Sequence, residues 1–409
     1  MTSTFSWLDH SDRERQRMLD AIDRFAENDT RDELGLGSIR DGLSDLFFPG
    51  TNTIQTRARY FLFVPWIYRG LEASKTGTEN PAVRARRDEL ALVDALCTTE
   101  NPEGVIGARA RAKLKRLPSN IYWLGLHKWG IRRFPGSQDD YHQRLKRPEL
   151  SRPELDDDED VVEGSSRGNW HAGLPEPPKD LLKVADLKLT RVEALYLRER
   201  IRHQQGKSLL CYLINGSWKM QGDLPWLHPA AETLPAELSK TLGHARLFSE
   251  TMHGAALLYN LQLTEALPPG AERDQGVESL REELHKWCAD LNARSNAISG
   301  WDHNEFWTLA KDQANVRGST EHFVNSWWKL QTWRDPELAI SSPTARELIR
   351  AREQSLKGSR ARLGNQRALE LWNGAAGLSR LNYRWAVTTR IINDIHAGLA
   401  EGGDHARSA

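Results

Sequence analysis

The chain has 409 residues, enough for two or three domains with cores of their own. Lys plus Arg and Asp plus Glu balance at 56 each, which excludes a globally basic nucleic-acid binder and leaves any such signal to local stretches. Cys97, Cys211 and Cys288 are widely spaced, which excludes a disulfide framework or a paired Cys-x-x-Cys metal site and fits reduced thiols.

The elements read as helices almost throughout. Ser11-x-x-Glu14 is a capping box, with Met18, Leu19, Ile22 and Phe25 on one face of the helix it opens. Ser38 starts a second helix with Ile39, Leu43, Leu46 and Phe47 inward, ended by Pro49-Gly50. Residues 55–74 are apolar on several faces, which predicts a central buried helix bent near Pro65. Its apolar run, Tyr60 to Tyr68, is far below the roughly 18 residues of a membrane span. The opening MTSTFSWLDHSDRE has no charged region followed by an apolar one. A cytoplasmic protein without a membrane partner is the expectation.

Pro81 suits the first turn of another helix, striped by Leu90, Val93, Leu96 and Cys97. Thr190-x-x-Glu193 is a further capping box. Long helical patterns follow at 236–265, 278–294, 318–333, 343–357 and 383–399. Only 208–219 admits a strand, and its leucine spacing fits a short helix equally well. The expected fold is all-α. Residues 149–181 hold four prolines, the run Asp156–Asp160 and Gly164-Ser165-Ser166, which predicts an acidic linker or loop. It would separate an N-terminal helical module, 1–148, from a C-terminal one, 182–400. A disordered tail, 401–409, would follow.

Ser6-Trp7-Leu8-Asp9, the Phe-Pro-Gly-Thr at Phe48 to Thr51, the Arg-x-Arg-Tyr-Phe-Leu-Phe at Arg57 to Phe63 and the Leu-Lys-Gly-x-Arg-Ala-Arg-Leu at 356–363 share one pattern. In these the chain resembles an uncharacterised bacterial family, a domain of unknown function, and the resemblance runs more loosely through most of the sequence. It implies no activity and no site residue. It does imply a context, since similar proteins tend to be encoded beside helicases and phospholipase-D-like nucleases in defence-type gene clusters.

Charge is distributed unevenly. Residues 109–152 contain twelve Lys or Arg against Asp139, Asp140 and Glu149, and 154–163 then hold seven acids and no base. Residues 343–390 carry ten basic residues against three acids. Within the first block, 105–133 reads as a basic helix, a Leu-Pro-Ser turn and a second helix from Ser119, the ingredients of a helix-turn-helix. Ile121, Leu124 and Trp129 would face inward and Asn120, Tyr122, Lys128, Arg132 and Arg133 outward. Lys113, Lys115, Arg116, Lys128, Arg132 and Arg133 are thus candidate nucleic-acid contacts. A solvated or protein-binding basic face explains them as well. The second block adds Lys357, Arg360, Arg362 and Arg384, with Gly358 allowing close approach to a phosphate. The alternative is pairing with acids such as Glu347 and Glu353. The acidic stretch 154–163 would shield such a basic groove.

Thr56, Arg57 and Arg59 form a candidate anion loop at a helix start, or else the arginines pair with Asp41 and Asp45. Fifteen tryptophans, among them Trp301, Trp307, Trp327, Trp328, Trp333, Trp372 and Trp385, suit either a Trp-filled core or a stacking surface. No phosphate loop, dinucleotide fingerprint, HExxH or GxSxG is present. Asp302-His303-x-Glu305 with His285 and His322 admits a metal or proton-sharing site, but Asp302 is more simply a helix N-cap. Asp41 and Asp45 admit a divalent ion. No cofactor or metal and no catalytic residue is assigned. Together with the context that the family resemblance implies, bacterial anti-phage or DNA-processing work, the reading is a non-catalytic, nucleic-acid-binding or accessory subunit of such a complex. DNA is a candidate partner, with a helicase or nuclease as protein partner. A scaffold without DNA contact and a metal-dependent nuclease-like enzyme are the alternatives.

Overall fold

The computed structural model describes residues 33–73, 79–99, 102–146, 168–372 and 377–401. Within them the chain is all-α: sixteen α-helices, no β-strand, and a single antiparallel bridge between Arg132 and Trp170. The Ser11 capping box, the acidic stretch 154–163 and residues 402–409 lie outside the described residues. No described helix is long and apolar enough to cross a membrane.

Local signals place the helix starts. Asn80 accepts from the Ala82 amide and Pro81 opens the helix Pro81–Leu96. Thr190 and Glu193 form the reciprocal box that starts Arg191–Gln204. Ser208 accepts from the Cys211 amide, which makes the ambiguous stretch a helix, Leu209–Asn215. Such caps satisfy amides that the first helical turn leaves unpaired. Ala236–Glu265 and Pro343–Lys357 have the expected bounds. Ala271–Asn292, Gly318–Leu330 and Trp385–Ala400 begin or end a few residues from expectation.

Two compact units make up the chain: the described parts of Met1–Leu43 and Lys240–Leu381 form one, and those of Ser44–Ser239 and Asn382–Ala409 the other. Each is discontinuous in sequence, so the partition differs from the expected 1–148 and 182–400. The described part of the Pro-rich stretch, 168–181, belongs to the second unit, in which the C-terminal helix Trp385–Ala400 packs on Arg191–Gln204. That approach is close enough that a Cβ on Gly398 would stand 2.8 Å from the Ala194 methyl.

The second unit is built on Tyr60–Ala73, buried from Tyr60 through Tyr68 and containing Pro65. Phe61 stacks on Trp129 at 3.7 Å, and Trp123, Tyr141 and Trp170 pack edge to face beside Tyr68. On Pro81–Leu96 the buried stripe is Ala85, Glu89, Leu92, Val93 and Leu96, with Leu90 only half-buried. Glu89 is tolerated inside because its carboxylate accepts the Ser119 amide at 2.8 Å and hydroxyl at 2.7 Å, serving the orphan N-terminus of the next helix. In the first unit Trp287, Trp301, Trp307, Trp327 and Trp328 are buried. Each indole N–H finds an acceptor, for example Trp327 on the Thr251 carbonyl at 3.0 Å and Trp301 on His244 at 2.9 Å. The described tryptophans fill the core, apart from half-buried Trp218 and Trp372.

Candidate functional site

The expected helix-turn-helix is absent. Residues 102–117 run as turns with one three-residue 3-10 turn, Arg111–Lys113, and only the second helix forms, as Pro118–Lys128. Gly104 and Gly107 take φ of +87° and +82°, and Leu114 packs so closely on Gly107 that a Cβ there would meet it at 2.6 Å. That backbone cannot be helical. On Pro118–Lys128, Ile121 and the following Trp129 face inward as expected, but Tyr122 is buried and Leu124 exposed. Lys113, Lys115 and Lys128 are exposed and make no ion pair among the described residues, and Arg116 is half-buried.

The other candidates are committed internally. Lys357 pairs with Glu33 and Glu353, the latter at 3.2 Å, and Arg362 pairs with Glu33 at 2.7 Å. Glu353 also accepts the amides of Arg362 and Leu363. Lys357 and Arg362 thus show the pairing alternative, with Glu33 as a further partner. Arg360 is exposed. Arg384 pairs with Asp45 and donates to the Thr51 carbonyl. The anion loop is also closed. Thr56 donates to the Gly104 carbonyl, Arg57 grips Asp394 at 2.8 Å, and Arg59 holds Asp186 and Glu193 at 2.8 Å each. The partners differ from the expected Asp41 and Asp45 because these are turned to Arg40 and Arg384. Asp302 caps its helix through the Asn304 and Glu305 amides, and Glu305 pairs with Lys240. No group of three metal-capable side chains exists among the described residues.

What remains is a cleft of about 510 Å³ in the second unit, lined by Arg132, Arg133, Arg200, His127, His171 and His203, with no carboxylate in its lining among the described residues. Three segments build it. The end of Pro118–Lys128 gives His127 and turns through Gly130, φ +63°, into Arg132 and Arg133. The left-handed φ of Gly130 favours glycine, and Arg200 Nη2 lies over it, 2.6 Å from where a Cβ would stand. The bridge at Arg132, with the His171 amide on the Ile131 carbonyl at 2.8 Å, sets His171 beside this turn. Arg191–Gln204 contributes Arg200 and His203.

Arg132 is buried, with its cation over the Trp123 ring at 4.6 Å and its donors on the carbonyls of Trp123, Phe134 and Gly136. Burial without a carboxylate pulls its pKa down to about 10, so it remains a cation. Arg200 donates to the Trp129 carbonyl at 3.3 Å and faces His171 Nε2 at 2.9 Å. His171 Nδ1 faces the Gly173 amide at 3.2 Å. Burial, then Arg200, Arg133 and His203, lower the His171 pKa and keep the ring neutral. Lys128, Arg132 and Arg133 were legible as candidates; His171 and Arg200 were not, and the dense charge of Arg198-x-Arg200-x-Arg202-His203 was their only local signal.

Fold and site together define a protein that is all-α over its described residues, with a cleft lined by arginines and histidines. The family model described as a family of unknown function, DUF6361, matches residues 2–398, so the chain belongs to that family. No curated protein and no solved structure matches it.

Proposed function

We propose that this protein is a non-catalytic nucleic-acid-binding subunit, working beside a helicase or nuclease in bacterial anti-phage defence or DNA processing. The observation that carries the reading is the cleft lined by three arginines and three histidines, with Lys128 exposed on the helix that ends at it. Lys113 and Lys115 precede the other end of that helix, whose eleven residues span roughly 16 Å. Cations so spaced suit several phosphates of one strand, and phosphate neutralisation supplies most nonspecific affinity. The enzymatic partner is taken from the family resemblance, and DNA supplies the ligand for the exposed cations.

Fluorescence anisotropy with labelled single- and double-stranded DNA across a salt series tests this. The reading expects affinity to fall steeply between about 50 and 200 mM salt, since each neutralised phosphate releases counterions. No binding at about 50 mM would sink it. A protein-only scaffold is the second reading, favoured by Leu124 and Val192 of the same unit, apolar side chains 63% and 67% exposed. It expects no DNA binding and a stable complex weakened by Leu124→Asp.

A further inference from the structure

The hydrogen bonds around His171 do not balance. A neutral imidazole carries one N–H and one lone pair, yet Nε2 faces Arg200 Nη1 at 2.9 Å and Nδ1 faces the Gly173 amide at 3.2 Å. Both neighbours are donors. Either tautomer therefore aims its N–H at another donor, and full protonation aims two. An acceptor lying alongside the Arg200–His171 contact would take one hydrogen from each and resolve the conflict. Tyr196, whose ring lies 5.7 Å from that of His171, also keeps a buried hydroxyl with no hydrogen-bond partner among the described residues.

The acceptor's charge follows from the lining. Arg132 and Arg200 meet no carboxylate among the described residues, and Arg133 shares the cleft with them. A diester phosphate brings one negative charge, whereas a phosphomonoester brings nearly two at neutral pH. Guanidinium forks match phosphate oxygens in pairs. A concave site of about 510 Å³ is suited to a group that ends inside it, rather than a backbone passing over it. We propose that the cleft is a phosphomonoester site, with a terminal phosphate held against Arg200 and His171. The site rests on the nucleic-acid reading only for the source of that phosphate, a strand end, since free phosphate offers the same chemistry.

The test uses the full chain at about 100 mM salt. Inorganic phosphate is titrated by calorimetry. Short single strands bearing a 5′-phosphate, a 3′-phosphate or neither are compared by anisotropy. The proposal expects phosphate binding and about tenfold tighter binding of one phosphorylated end, the size of one charged hydrogen bond. Arg200→Gln should bring that ratio to about one. Arg133→Gln, on an exposed side chain, serves the same purpose if Arg200→Gln fails to fold. Equal affinity for all three strands would overturn the phosphomonoester site and leave nucleic-acid binding standing. Phosphate binding without any strand binding would support the site and sink the strand end as its source. Neither kind of binding would sink both.

Discussion

Two stretches of this chain carry nearly the same excess of positive charge, and folding treats them in opposite ways. Of the ten basic residues in 343–390, six pair with carboxylates, among them Arg346 with Glu265, Lys357 with Glu33 and Arg380 with Asp290. In 109–152 the described Arg109, Lys113, Lys115, Lys128, Arg144 and Lys146 are exposed and make no ion pair among the described residues. Net charge along the sequence is thus a poor guide to which cations a ligand can use. The partners decide, and they stand far away in sequence.

The largest way to sharpen the contrast is to break the paired region. Glu353 is fully buried, holds Lys357 and two amides, and accepts from Tyr259. Glu353→Ala should cost about 3–5 kcal/mol in urea denaturation, because it removes one of the two carboxylates that hold Lys357 and leaves two amides and the Tyr259 hydroxyl without their acceptor. DNA affinity of the folded protein should be unchanged. A loss under 1 kcal/mol would mean that the cluster is not a structural lock.

A somewhat smaller effect concerns the helix beneath the exposed region. Burial pushes the Glu89 carboxyl up to about 7, against lowering by its bonds to Ser119. A carboxyl raised on folding stabilises the protein while protonated, and that contribution fades as pH rises from about 4.5 to about 7. Stability should therefore fall across that window by up to about 3 kcal/mol. Glu89→Gln should flatten the profile; an unchanged slope would contradict the assignment.

Smallest of all is the effect of one exposed cation. Lys128→Glu should leave stability within about 0.5 kcal/mol. It should also lower the slope of log affinity on log salt by at least about one. A changed melting temperature with an unchanged slope would assign Lys128 to the fold instead.

Much of the fold was legible because its signals are local. Ser342-Pro343 and Thr190 with Glu193 start helices through atoms only a few residues apart. The site was half legible. Lys128, Arg132 and Arg133 announce charge, but Arg132 turns inward to carbonyls of Trp123, Phe134 and Gly136. His171 and Arg200 arrive from other segments through the bridge at Trp170 and the approach to Gly130, neither of which leaves a periodic pattern. Pairings such as Lys357 with Glu33 and Arg57 with Asp394 join the ends of the sequence, so composition of a window could not reveal them.

The most direct measurement compares two charge-reversal variants in the DNA salt series. One carries Lys113→Glu, Lys115→Glu and Lys128→Glu. The other carries Arg346→Glu, Arg350→Glu and Arg380→Glu, three cations of the other stretch that pair with carboxylates. The account predicts that the first abolishes binding at about 100 mM salt while the second binds within about twofold of the unaltered protein. Equal losses in both, or a loss only in the second, would contradict it.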